Sequence, residues 1–117
     1  MALTVLNGPV IEEGESLSDG IDVSGGPLVR ITMPAGWTPA NLTFQISSDG
    51  NGYNDLYDVH GKPITVNVVP GSAVRVPIEW STMLGFLKVR SGTRDFPVKQ
   101  EERREFAVAI EAPDAPA

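Results

Sequence analysis

Few side chains in this sequence stand at spacings that support catalysis. Histidine occurs once, at His60 within Asp58-Val59-His60-Gly61. An imidazole works as a general base only beside a nucleophile and an orienting group. Neither neighbours His60, so it reads as a loop residue. Asp49, Asn51 and Asp55 offer oxygens at alternating positions, as calcium loops do. The stretch lacks the twelfth-position Glu and the central Gly of an EF-hand, and a hairpin turn with surface acids accounts for it more simply. Asp49, Asp55 and Asp58 imitate a glycosidase pair, but such a pair needs one carboxyl raised by burial, which a surface turn does not supply. Ser24-Gly25-Gly26 has neither the Gly-Lys-Ser/Thr ending nor the following helix of a phosphate loop, and the Gly-x-Ser-x-Gly elbow of serine hydrolases is missing. With no cysteine, disulfide frameworks, thiolate zinc sites and cysteine nucleophiles are excluded. The expectation is a protein that is not an enzyme, with no catalytic, cofactor-binding or metal-ligating residue.

Aromatic side chains are the remaining candidates. Trp37, Tyr53, Tyr57 and Trp80 all fall near turns or strand ends. Exposed, they would stack on a sugar or anchor a protein partner. Buried, Trp37 and Trp80 would close the two ends of a core, which is the expected arrangement for side chains so large.

The elements that would position these residues follow from a period of two. Val29, Ile31 and Met33 alternate with polar neighbours, as do Leu42, Phe44 and Ile46, then Ile64, Val66 and Val68, then Val74, Val76 and Ile78. Leu87 and Val89, and Phe106, Val108 and Ile110, repeat the pattern. Turn residues separate the runs: Gly25-Gly26-Pro27, Pro34-Ala35-Gly36, Asp49-Gly50-Asn51-Gly52, His60-Gly61-Lys62-Pro63, Pro70-Gly71 and Ser91-Gly92. With further strands at 3–6 and 55–58, this predicts an all-β fold, a single antiparallel β-sandwich or jelly-roll-like domain of about eight short strands. Pro77, on the outward side of its run, marks an edge strand or a bulge. The stretch 98–112 is the one serious helix candidate, but its apolar positions at 106, 108 and 110 are two apart and predict a strand. Lys99–Glu105 has no apolar stripe and reads as a solvated approach, while 81–84 suits a short turn.

The 117 residues suffice for one domain. Residues 28–111 form the expected sandwich. Residues 1–27 read as an acidic, Gly/Ser-rich N-terminal arm with one possible strand, and 112–117 as a Pro/Ala-rich tail. Removing 1–27 or 111–117 is expected to leave the isolated fold largely intact and to impair assembly. Charge is segregated. Residues 1–29 have no basic side chain but contain Glu12, Glu13, Glu15, Asp19 and Asp22. Lys88, Arg90, Arg94, Lys99, Arg103 and Arg104 gather in 88–104. These segments would pair within one molecule or between neighbouring copies, if they are not simply two solvated stretches. The formal net charge of −6 disfavours nucleic acid and anionic membrane as partners. The apolar run at the start has no preceding Lys or Arg and is broken by polar residues, so neither a signal peptide nor a spanning helix is expected. The expectation is a protein made and kept, or assembled, in a cytoplasm.

Phe44-Gln45-Ile46-Ser47-Ser48-Asp49-Gly50, then Leu56-Tyr57-Asp58, then Phe86-Leu87-Lys88-Val89-Arg90-Ser91-Gly92-Thr93 and Pro97-Val98-Lys99-Gln100 form a sequence of motifs. Over residues 28–110 the chain resembles small β-sandwich virion proteins of tailed bacteriophages. The resemblance implies a multi-copy structural protein of the virion, assembled in the bacterial host cytoplasm. Head decoration or cementing is its first implied role, and a neck or tail component the next. Its partners would be other virion proteins and copies of itself. The Ser-x-Asp-Gly hairpin and the Leu-x-Val-Arg strand also resemble discoidin-type, galactose-binding-like domains, which implies a carbohydrate-binding module for a host-surface glycan. The cysteines common in extracellular members of that family are missing here.

Overall fold

The computed structural model describes residues 2–82 and 85–112. Expectations for the Ile78 side chain, for residues 83–84 and for the tail at 113–117 lie outside what is described. The strands are β1 (Ala2–Ile11), β2 (Ile21–Asp22), β3 (Leu28–Thr32), β4 (Leu42–Ser47), β5 (Asn54–Asp55), β6 (Ala73–Arg75), β7 (Phe86–Ser91) and β8 (Arg104–Ala112). A single helical turn, α1 (Ile78–Ser81), lies between β6 and β7. Two four-stranded sheets form, ordered β1-β8-β3-β6 and β2-β7-β4-β5. Every ladder in them is antiparallel. The fold is an all-β sandwich.

The period-two pattern places the core as expected in β4, β7 and β8. Leu42, Phe44, Leu87, Val89, Phe106, Val108 and Ile110 are all buried. In β3 the phase differs. A register shift between Leu28 and Arg30 puts Leu28 and Ile31 inside, and Val29 lies half-buried outside that set. Two residues then oppose one, the defining count of a bulge, and no local composition announces it.

Two expected strands are reduced. Ile64, Val66 and Val68 are partly buried against the core, but their stretch makes only isolated bridges, Leu42 with Val66 and Tyr57 with Pro63, rather than a ladder. The Val74–Ile78 run stops as a strand at Arg75, and α1 begins after Pro77. Proline has no N–H to offer a ladder, and its φ suits entry to a helix.

The largest correction concerns the N-terminal segment. Residues 2–27 belong to the sandwich rather than forming an arm. β1 pairs with β8 from Ala2↔Ala112 to Ile11↔Arg104, with a register shift across Gly8 and Pro9. Ile11 and Val23 are core residues. Between them the chain runs along β7. The Ser18 N–H donates to the Val89 carbonyl, the Val89 N–H donates to Ser18 Oγ, and the Ser91 N–H donates to the Ser16 carbonyl. The end of β8 is tied in too, since Glu111 donates its N–H to the Pro27 carbonyl. Acidic, apolar-poor stretches satisfy their backbone on a neighbouring strand, and hydropathy patterning does not register that.

Candidate functional site

The basic segment forms struts inside the chain. The register of β4, β5 and β7 sets Gln45 opposite Asp55 and Thr43 opposite Arg90. Arg90 Nη2 then donates to Asp55 Oδ1 at 2.6 Å, Gln45 Nε2 donates to the same oxygen at 3.2 Å, and Arg94 Nε lies 3.8 Å from Oδ2. Arg90 Nη1 donates to Thr43 Oγ1, which donates to the Gly92 carbonyl. Burial pushes the Asp55 carboxyl up, but the Arg90 and Gln45 hydrogen bonds and the two guanidinium charges outweigh it, leaving its pKa below the ordinary carboxylate value. A carboxylate held ionised by a guanidinium reaching across β4 from β7 is a brace, poorly placed to donate a proton.

A second strut was not legible in the sequence. Gln100, in the stretch read as solvated, is buried. Its Oε1 accepts from Thr38 N–H at 2.9 Å and from Arg104 Nε at 3.0 Å. Its Nε2 donates to the Thr38 carbonyl at 3.0 Å and to Ser91 Oγ at 2.8 Å. Its backbone joins Gly14 and Glu15. Arg103 meets Glu12 at 3.1 Å with both side chains exposed, and Lys88 Nζ lies 4.4 Å from the centre of the Tyr53 ring. The acidic and basic segments therefore touch within one chain at Glu12 and Arg103. A rim pair of this kind is worth about 0–1 kcal/mol.

The turn acids are likewise occupied. Asp49 Oδ1 accepts from the N–H groups of Asn51 and Gly52 and from Ser47 Oγ. Asp58 Oδ1 accepts from the N–H groups of His60 and Lys62. These bonds lower both pKa values, through Asn51 first for Asp49 and Lys62 first for Asp58. His60 stands exposed at the tip of that second turn. Among the described residues, no three His, Asp or Glu side chains converge in a way that would hold a metal.

Of the four aromatic candidates, the fold brings two together. Trp37 is buried, edge-on to Phe106 at 5.4 Å, with its Nε1 donating to the Ala40 carbonyl. Tyr53 lies under Lys88. Trp80, carried by α1, packs one face on Phe44 at 5.1 Å and with its other parts lines a groove of about 640 Å³. Leu56, Tyr57, Val59, Pro63 and Ile64 form the groove's apolar wall, and Asp58, Lys62 and Glu79 stand among its lining residues. The groove offers an aromatic and aliphatic surface with charged groups around it. It suits reversible binding of a sugar face or an apolar side chain. The aromatics themselves were legible in the sequence; the aliphatic wall was not, because the chain between β5 and β6 is irregular.

No protein-family model matches the chain, and no curated protein matches it. Among solved structures, the chain is similar to the crystal structure of Yersinia pseudotuberculosis-derived mitogen, at 11% identity and a TM-score of 0.37. The match covers 99% of this chain and 90% of that one. A likeness at that score carries no argument about what this chain does.

Proposed function

We propose that the chain is a non-enzymatic, jelly-roll-like structural component of a tailed-bacteriophage particle. In this reading it is assembled in the bacterial host cytoplasm and present in several copies. A head decoration or cementing protein is the first reading, and a neck or tail component the next. The jelly-roll assignment is supported by the pairing of β1 with β8, β2 with β7, β3 with β6 and β4 with β5, one antiparallel ribbon rolled into two layers. That architecture serves viral capsid and lectin domains alike, so the surface has to decide between them. The observation that carries the reading is how the side chains are disposed. Asp55, Arg90, Gln100 and Arg104 are bonded to one another or to neighbouring strands, while Leu3, Val5, Val59, Val69 and Phe96 stand in solvent. These three charged side chains and Gln100 brace the fold, and the exposed apolar side chains are left for contact. The motifs at 44–50, 56–58, 86–93 and 97–100 supply the bacteriophage part of the reading.

Immunogold labelling of particles released from the host carrying this gene tests it. Labelling at many positions on each particle is expected, and particles that purify without the chain would end the reading. A second reading is favoured by the meeting of Trp80 and Tyr57 in one groove: a carbohydrate-binding module for a host-surface glycan.

A further inference from the structure

We propose that a second copy of this chain adds to the free edge of β1, antiparallel and across a two-fold axis at Thr4, joining the β1-β8-β3-β6 sheets of the two copies into one. The inference concerns the isolated chain and stands whether or not the particle reading does. β1 and β6 end the first sheet, and β2 and β5 end the second. β2, β5 and β6 are two or three residues long, with Asp22 in β2, Asp55 in β5 and Arg75 in β6. Short, charged edges are the usual protection against pairing with another chain. β1 has ten residues and no charged side chain. Its far half is blunted: the bulge at Gly8 and Pro9 interrupts it, and Asp19 takes both the N–H and the carbonyl of Val10. Among the described residues nothing covers the near half, Ala2–Leu6, in this way, and Leu3 and Val5 are each 55% exposed.

The sequence of this half is complementary to itself about Thr4. The antiparallel two-fold there sets Leu3 opposite Val5 of the second copy on the outer face, and Ala2 opposite Leu6 on the inner one. An axis at Val5 would set Leu3 against Asn7 instead. The opposed Leu3 and Val5 side chains support the pairing more than alanines would, and the shared two-fold makes every contact count twice. Charge selects the same direction. Glu12, Glu13 and Glu15 follow β1. Antiparallel pairing sends the two acidic ends apart by about 50 Å at roughly 3.3 Å per residue, far beyond the Debye length of about 8 Å. Parallel pairing would bring them side by side in a chain of net charge −6.

Sedimentation of the full chain over a wide concentration range tests the proposal, with cross-linking as a second readout. The mass is expected to rise from 12.5 kDa towards twice that value, and Leu3→Lys or Val5→Lys is expected to hold it at 12.5 kDa with an unchanged melting transition. Because the chain has no cysteine, Thr4→Cys introduces a lone thiol, expected at the axis to give an oxidised dimer much faster than Thr65→Cys on an exposed loop. A wild-type mass that stays at one chain overturns the proposal. So does a dimer that survives Val5→Lys, or a Thr4→Cys variant that oxidises no faster than Thr65→Cys.

Discussion

Gln100 joins Thr38, Ser91 and Arg104 through one buried amide, and the chain between β7 and β8 depends on that amide for its place. Gln100→Leu keeps much of the volume but strands the Thr38 N–H, the Thr38 carbonyl and Arg104 Nε. Leaving buried groups without partners costs about 1–3 kcal/mol each before relaxation, so a loss of roughly 2–4 kcal/mol is expected in urea unfolding. Asp55 gives a pH signature. Its folded pKa lies below its unfolded one, so its contribution is full above the unfolded value and falls away as pH drops through the folded one. Asp22, Asp49 and Asp58 carry shifts of the same sign. The urea midpoint is therefore expected to hold from neutral pH to about 5 and to fall below about 4. Asp55→Asn should flatten that acid limb while costing about 1–3 kcal/mol at pH 7, because Arg90 loses its charged acceptor. An acid limb as steep as that of the wild type would remove Asp55 from this role.

β1 distinguishes a structural strand from an appended arm. Ile11 is fully buried and Leu3 is not, although both lie on the same strand. Ile11→Ala should cost about 2–4 kcal/mol and Leu3→Ala less than about 0.5 kcal/mol, as read by thermal or denaturant melts. Deleting residues 2–11 should abolish the cooperative transition, because β8 loses one of its two neighbours along almost its whole length and the core loses Ile11. A truncated chain that still melts cooperatively would return this segment to the status of an arm. The entry to β7 has its own requirement. Gly85 sits at φ +66°, and a Cβ there would lie 2.6 Å from the Ser47 carbonyl oxygen. Gly85→Ala should cost about 1–3 kcal/mol, combining a left-handed backbone with a clash against the end of β4.

Across the full sandwich, the bonds of Asp55 with Arg90 and of Gln100 with Arg104 serve stability. The Trp80 and Tyr57 groove is the place to test glycan recognition. Tyr57→Ala, at an exposed position, should leave the melting transition unchanged. If the groove reads sugars, it should abolish binding to any glycan the wild type selects on an array. A wild type that selects no glycan would remove the carbohydrate reading and leave the particle reading untouched. The internal pairing of Glu12 with Arg103 also bears on assembly. That pair is already satisfied within one chain, so it contributes little to register between copies.

Alternation of apolar and polar residues in β4, β7 and β8 by itself specified an all-β sandwich, because a period of two gives an extended segment one dry face whatever its partner. The turns at Asp49-Gly50 and His60-Gly61 were equally legible, since their geometry depends on residues adjacent in the chain. What joins to what was decided only in three dimensions. The packing of 16–23 along β7, the burial of Gln100 and the grouping of Tyr57 with Trp80 each rest on hydrogen bonds or contacts between residues distant in the chain. Polar residues reveal their burial only through the partners that satisfy them. A glutamine with four bonds waiting in the folded interior looks, in a sequence, the same as one facing water.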